Sequence, residues 1–153
     1  MNMTPRFRKV ALFTHVTFSV GWFGAVFPYL ALAIAGLVSR DVRMMRAAYL
    51  AMELIGWFVI VPFSLAALTS GLVQSLGTPW GLFRHWWIVA KFVLTVVATL
   101  VLLRHMAAVS SMARLVTDAT TTDASSRAQG VGLVHPTGGL LVLLAAMILS
   151  VMK

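Results

Sequence analysis

The sequence predicts an all-α fold: an integral membrane four-helix transmembrane bundle of up-down topology, one domain covering residues 1–153. Three observations carry that prediction. Hydrophobic residues make up 60% of the chain and charged residues only 10%, whereas a soluble domain carries about 25% charged residues to face water. The apolar residues fall into four runs, each near or above the roughly 20 residues that cross about 30 Å of hydrocarbon. The 12 basic residues sit in short clusters between those runs, as membrane proteins place them. In lipid only helices and closed barrels satisfy their own backbones, and runs of this length form helices.

The first run, about 10–38, far exceeds the 7–15 apolar residues of a signal peptide and reads as a retained helix. It carries a stripe of small residues, Thr14, Thr17, Gly21, Gly24, Pro28, Ala31 and Ala35. That 3,4 spacing predicts a seam for close packing. The second run, about 47–76, follows the basic turn from Ser39 to Arg46. Pro28 and Pro62 each remove a backbone hydrogen bond and are expected to kink their helices. Gly77-Thr78-Pro79-Trp80-Gly81 is a turn cluster, and Trp86-Trp87 opens the third run, about 86–105, at an interfacial level. The connection of about 106–131 reads as extramembrane. It is expected to extend the third helix and to turn near Thr120 to Asp123, where Thr or Asp can cap the fourth helix, about 132–152. The basic residues divide evenly between the two sides. Arg6, Arg8 and Lys9 before the first helix favour termini in the cytoplasm of a bacterial inner membrane.

The net charge is +8. In this setting the expected partner of the basic clusters is lipid phosphate, and nucleic acid is excluded. The chain has no cysteine, which removes disulfides, thiolate metal sites and cysteine nucleophiles.

Ionisable side chains at membrane depth cost at least about 2.5–3.5 kcal/mol on insertion scales and so mark candidate sites. They are His15, Glu53, His85, Lys91, His105 and His135. Up-down threading places His15, His85 and Lys91 near one face and Glu53, His105 and His135 near the other. His85 and His105 stand about 30 Å and about 200° apart on one helix and cannot share a site. Lys91 and His105 lie two heptads apart, on a stripe with Thr95, Ala98 and Leu102 that is expected to face the interior. Structural readings stand beside these: His85 as an interfacial anchor, Glu53 paired with Arg46, and His105 and His135 as satisfied polar groups of the bundle.

The chemistry that intramembrane imidazoles serve best is cofactor ligation. Facing helices of a bundle supply axial histidines to haem iron, here drawn from His15, His105 and His135, with Lys91 beside them. Copper or another metal held by His15, His105, His135 and Glu53 is the competing chemistry. The expected partners are membrane lipid, a quinone or a porphyrin, and a second copy of the chain. As an enzyme the protein would be a membrane oxidoreductase with Lys91 as the catalytic candidate. A non-catalytic structural membrane protein is the remaining reading.

Three segments carry a family resemblance: His15 through Trp22-Phe23-Gly24, Gly77 through Lys91, and His135-Pro136-Thr137-Gly138-Gly139. In these the chain resembles a family of small bacterial four-helix integral membrane proteins of unknown function. More distantly it is similar to the membrane protoporphyrinogen oxidase family, which binds haem b, and to the copper resistance D family. In the oxidase family a helix-one His precedes a Trp by seven residues, as His15 precedes Trp22. A later helix carries Trp four residues before Lys, as Trp87 precedes Lys91, and a His near its end, as His105. A final helix begins near a Pro, as at Pro136. The resemblance implies His15 as a haem ligand with Lys91 as its functional companion. That family follows its first motif with an Arg and a second His, and Phe27 through Leu32 has neither. The resemblance therefore carries haem binding further than the oxidase activity.

Overall fold

The computed structural model describes residues 4–77 and 86–118. Among them the chain runs through α1 (Pro5–Val38), α2 (Val42–Ile55), a π-helical turn (Gly56–Ile60), α3 (Val61–Gly77) and α4 (Trp86–Asp118), with no strand. Three helices are long and apolar enough to cross a membrane: Pro5–Val38, the continuous rod Val42–Gly77, and Ile88–Leu115 within α4. The fourth expected run, 132–152, and the cap at Thr120 to Asp123 lie outside the described residues, as do His85 and His135.

Local chemistry explains where the helices start. The Thr4 hydroxyl accepts from the Phe7 N–H and Pro5 occupies the first turn, so α1 begins before the apolar run does. The Asp41 carboxylate accepts from the Arg43 N–H at 2.9 Å and starts α2 earlier than the apolar run at residue 47. Capping needs one side chain at the right place and is indifferent to hydropathy, which is why helix ends and hydrophobic ends differ.

The rods pack with constant register. Along α1, His15, Gly21, Tyr29 and Gly36 meet Gly71, Phe63, Gly56 and Tyr49, so α1 and the second rod are antiparallel. Trp57 bonds to Ser110, while Glu53 and Leu50 line one groove with Arg114 and Thr117, so the second rod and α4 are antiparallel as well. Hence α1 and α4 run parallel, and Tyr29 bonds to His105, 76 positions later.

The core is concentrated where α1, α2 and the second half of α4 meet. Trp22, Val26, Tyr29 and Ala33 pack with Met45, Tyr49, Met52, Ile60, Met106, Val109 and Met112. Outward, Phe13, Val20, Phe58 and Leu100 expose more than half of their surface, an apolar coat suited to lipid and costly in water.

One sequence expectation changes here. The small-residue stripe is not the buried face of α1: Thr17, Gly24, Pro28 and Ala31 are exposed, and the buried line is Trp22, Val26, Tyr29, Ala33 and Gly36. That line has the same heptad rhythm rotated by about 100° per residue. Large side chains filling the interior decide the rotation, and small residues only permit close approach. Gly21 does serve closeness, since a Cβ there would stand 2.5 Å from Phe63, whose ring meets Phe18 edge-on at 5.5 Å. The segment from Met106, expected to extend the third helix, continues α4 and packs into the core, where Met106, Val109, Met112 and Ala113 are buried.

The π turn answers Pro62. Proline offers no N–H and its ring crowds the carbonyl four residues back. The preceding turn opens to a five-residue bond, Val61 N–H to Gly56 O, which lets the helix accommodate the proline without ending. At the same turn Gly56 is buried against the Met106 thioether, with Tyr29 nearby.

Replacing Gly56 by Leu is expected to destabilise the protein by about 1–3 kcal/mol through overpacking. Met106→Ala in the same chain should recover part of that loss. Thermal unfolding in detergent of the two single variants and the double variant checks the coupling.

Candidate functional site

The polar side chains of the described bundle gather at two levels. On α1, His15 and Tyr29 stand two heptads apart, and on α4 Lys91 and His105 do the same. Because the parallel register offsets α1 and α4 by 76 residues, His15 faces the Lys91 level and Tyr29 faces His105. The two levels are separated by about 21 Å of helix rise.

At the first level, α1 brings His15 against α3. Its Nδ1 lies 3.0 Å from the Ala67 carbonyl oxygen and 3.2 Å from Ser70 Oγ. A carbonyl oxygen only accepts, so Nδ1 carries the proton and donates. Ser70 spends its own proton on the Ala66 carbonyl at 2.5 Å, which leaves its oxygen free to accept from His15. The neutral imidazole then holds its lone pair on Nε2, which has no hydrogen-bond partner among the described residues. An acceptor placed behind the ring in this way is what orients a metal-ligating histidine. Gly71 forms the floor beside the ring: a Cβ there would stand 3.0 Å from Cε1 and 3.8 Å from Nε2. Lys91 is close enough to act on His15 electrostatically. Around this level packing is looser, since no described α4 side chain between Ile88 and Ala98 is buried. The Thr95 hydroxyl donates to the Lys91 carbonyl and the Thr99 hydroxyl to that of Thr95, both at 2.8 Å, so their polarity is satisfied within α4.

The second level is tight. Tyr29 and His105 are 3% and 7% exposed, and the Tyr29 hydroxyl meets His105 Nε2 at 3.0 Å. The rings lie edge to face at 6.1 Å. A ligand at His105 Nε2 would have to displace the tyrosine. The stripe expected to face inward on α4 does so at its lower half: His105 and Thr99 are buried, and Ala98 and Leu102 pack against the core.

Glu53 stands apart from both levels, lining a groove with Trp57, Ser110, Ser111 and Arg114. Thus His15 and Lys91 come together, while His105 and Glu53 each belong elsewhere. Among the described residues no group of three or more His, Cys, Asp or Glu side chains could hold a metal ion. His135, named for both haem and metal, falls outside the described residues.

Sequence reading missed Tyr29, Ser70 and Gly71. Tyr29 was findable, because it follows His15 by two heptads, the same spacing that singled out Lys91 and His105. Ser70 and Gly71 sit on another helix, and only the antiparallel register brings them to His15. No known protein family, curated protein or solved structure matches this chain.

Tyr29→Phe is expected to cost about 1 kcal/mol, the scale of an interhelical hydrogen bond in a membrane bundle. In combination with His105→Leu the loss should be smaller than the sum of the two single effects. Chemical denaturation in mixed micelles measures the coupling.

Proposed function

We propose that this chain is a multi-pass protein of the bacterial inner membrane that binds a b-type haem, with His15 as an axial ligand and Lys91 as its companion. The observation that carries the proposal is the state of His15: its Nδ1 proton is committed to the Ala67 carbonyl, while Nε2 has no hydrogen-bond partner among the described residues. Iron takes a neutral imidazole through such a nitrogen. Gly71 supports the fit, because any larger residue would place a Cβ against the ring. The looser packing of α4 beside Lys91 supports it further.

In this reading residues 132–152 form the fourth span of the bundle. Ala67 and Ser70 hold the His15 ring and its tautomer, and Lys91 offers an ammonium to a haem propionate. Bound haem would supply one-electron redox chemistry, suited to electron transfer with a quinone or to oxidation of a porphyrin. Tyr29 and His105 keep α1 and α4 in register and serve the site from a distance.

The protein purified in mild detergent from haem-replete cells should show a Soret band and, after dithionite reduction, an α-band. His15→Ala should abolish both, Lys91→Gln should weaken haem retention, and His105→Leu should leave the spectrum in place. A colourless wild-type protein would sink the haem reading. Loss of haem from the His105 variant alone would move the ligand to the second level.

A further inference from the structure

The Glu53 groove lies outside the His15 level and has no part in the proposed haem site. It lies between the second rod and α4, has a volume of about 700 Å³, and is lined by Glu53, Trp57, Ala107, Ser110, Ser111, Arg114 and Leu115. A smaller cavity of about 140 Å³ shares Glu53 and Arg114 and continues past Leu50, Ala113 and Thr117. Two opposite charges therefore face one space from neighbouring helices. Among the described residues neither has a hydrogen-bond or ion-pair partner, each other included.

We infer that this groove binds the head group of an ammonium–phosphate zwitterion, as carried by an ethanolamine phospholipid. The position suits it: Arg114 lies one residue before the end of the apolar span Ile88–Leu115, and a basic side chain at the end of a span pairs with lipid phosphate. A guanidinium pairs phosphate through two parallel hydrogen bonds. A carboxylate accepts from a primary ammonium, which a quaternary choline cannot match and a glycerol head group lacks. The walls are amphipathic in the same order. The Trp57 indole N–H donates to Ser110 Oγ at 2.9 Å, which orients the ring in the groove. Farther along the second rod Leu54 and Phe58 are 60% and 75% exposed, an apolar surface on which acyl chains can lie. Trp at such a level is the usual interfacial anchor. A partner carrying one charge would leave the other side chain of the groove uncompensated, which disfavours anionic lipid as the occupant.

Native mass spectrometry of the full-length protein, delipidated and then exposed to ethanolamine, choline or glycerol phospholipid with matched acyl chains, tests the assignment. The ethanolamine lipid should remain bound at roughly tenfold higher occupancy than the other two, the scale of one charge-assisted hydrogen bond. Glu53→Gln and Arg114→Gln should each erase that preference, and Arg104→Gln, an exposed arginine outside the groove, should not. If Glu53→Gln fails to elute as a monodisperse species, Arg114→Gln, at an exposed position, decides. Equal retention of the three lipids, or a preference that survives in the folded variants, overturns the proposal. Displacement of the lipid by an equal concentration of soluble phosphoethanolamine overturns the lipid as the source and assigns the site to a water-soluble zwitterion. Haem content does not enter any of these readouts.

Discussion

Three rods converge at Gly56, where the absence of a side chain lets the Met106 thioether and the Tyr29 ring approach the same stretch of backbone. In lipid, apolar side chains gain little by leaving their surroundings, so close fit and interhelical hydrogen bonds must hold helices together. The contact at Gly56 supplies that fit, and its position determines much else. With α1 antiparallel to the second rod and α4 antiparallel in turn, this crossing sets the offset between α1 and α4. From that offset come the Tyr29–His105 bond and, two heptads away, the approach of Lys91 to His15. The π turn at Gly56–Ile60 belongs to the same crossing. It reconciles Pro62, which cannot donate, with a rod that must continue to Gly77 to reach His15.

The two polar levels have opposite characters, and packing explains the difference. Near Tyr29 and His105 the methionines of α2 and α4 fill the space, and the Tyr29 hydroxyl faces His105 Nε2. Methionine suits irregular gaps between helices because its chain is unbranched and flexible. Near His15, α4 contributes half-buried residues and small hydroxyls that bond their own backbone. A buried, mutually satisfied pair stabilises and resists ligands. His15 has one nitrogen anchored and, among the described residues, no hydrogen-bond partner at the other. The proposed haem site therefore lies at the looser end, with the tighter end as its frame. The Glu53 groove shows a third condition, in which two opposite charges face one space without a hydrogen-bond partner among the described residues.

Much of the fold was legible in advance because hydropathy is a one-dimensional property. Three of the four runs correspond to long apolar helices among the described residues, with starts shifted by the caps at Thr4 and Asp41. The pairing of Lys91 with His105 on one stripe was legible for the same reason, since a single helix has a known period. The buried face of α1 was not. A stripe of small residues and a stripe of large ones differ by one or two positions along the helix. Which of them turns inward depends on what the opposing helices bring: here Met45, Tyr49, Met52 and Met106 meet Trp22, Val26 and Tyr29. The extension of α4 past Met106 was legible in the Ala- and Ser-rich composition there, but its burial among Met52, Val109 and Met112 was not.

By itself, then, the sequence pointed to the solvent and the element type: so apolar a chain with so few charges suits lipid, and runs of this length in lipid suit helices. It also determined which ionisable groups were candidates, because each is costly at depth whatever its neighbours. Tertiary structure decided their partners. His15 gained the Ala67 carbonyl, Ser70 and the space beside Gly71, and His105 gained Tyr29. The register between two helices depends on the shapes that meet at their crossing, and no property of either helix alone contains it.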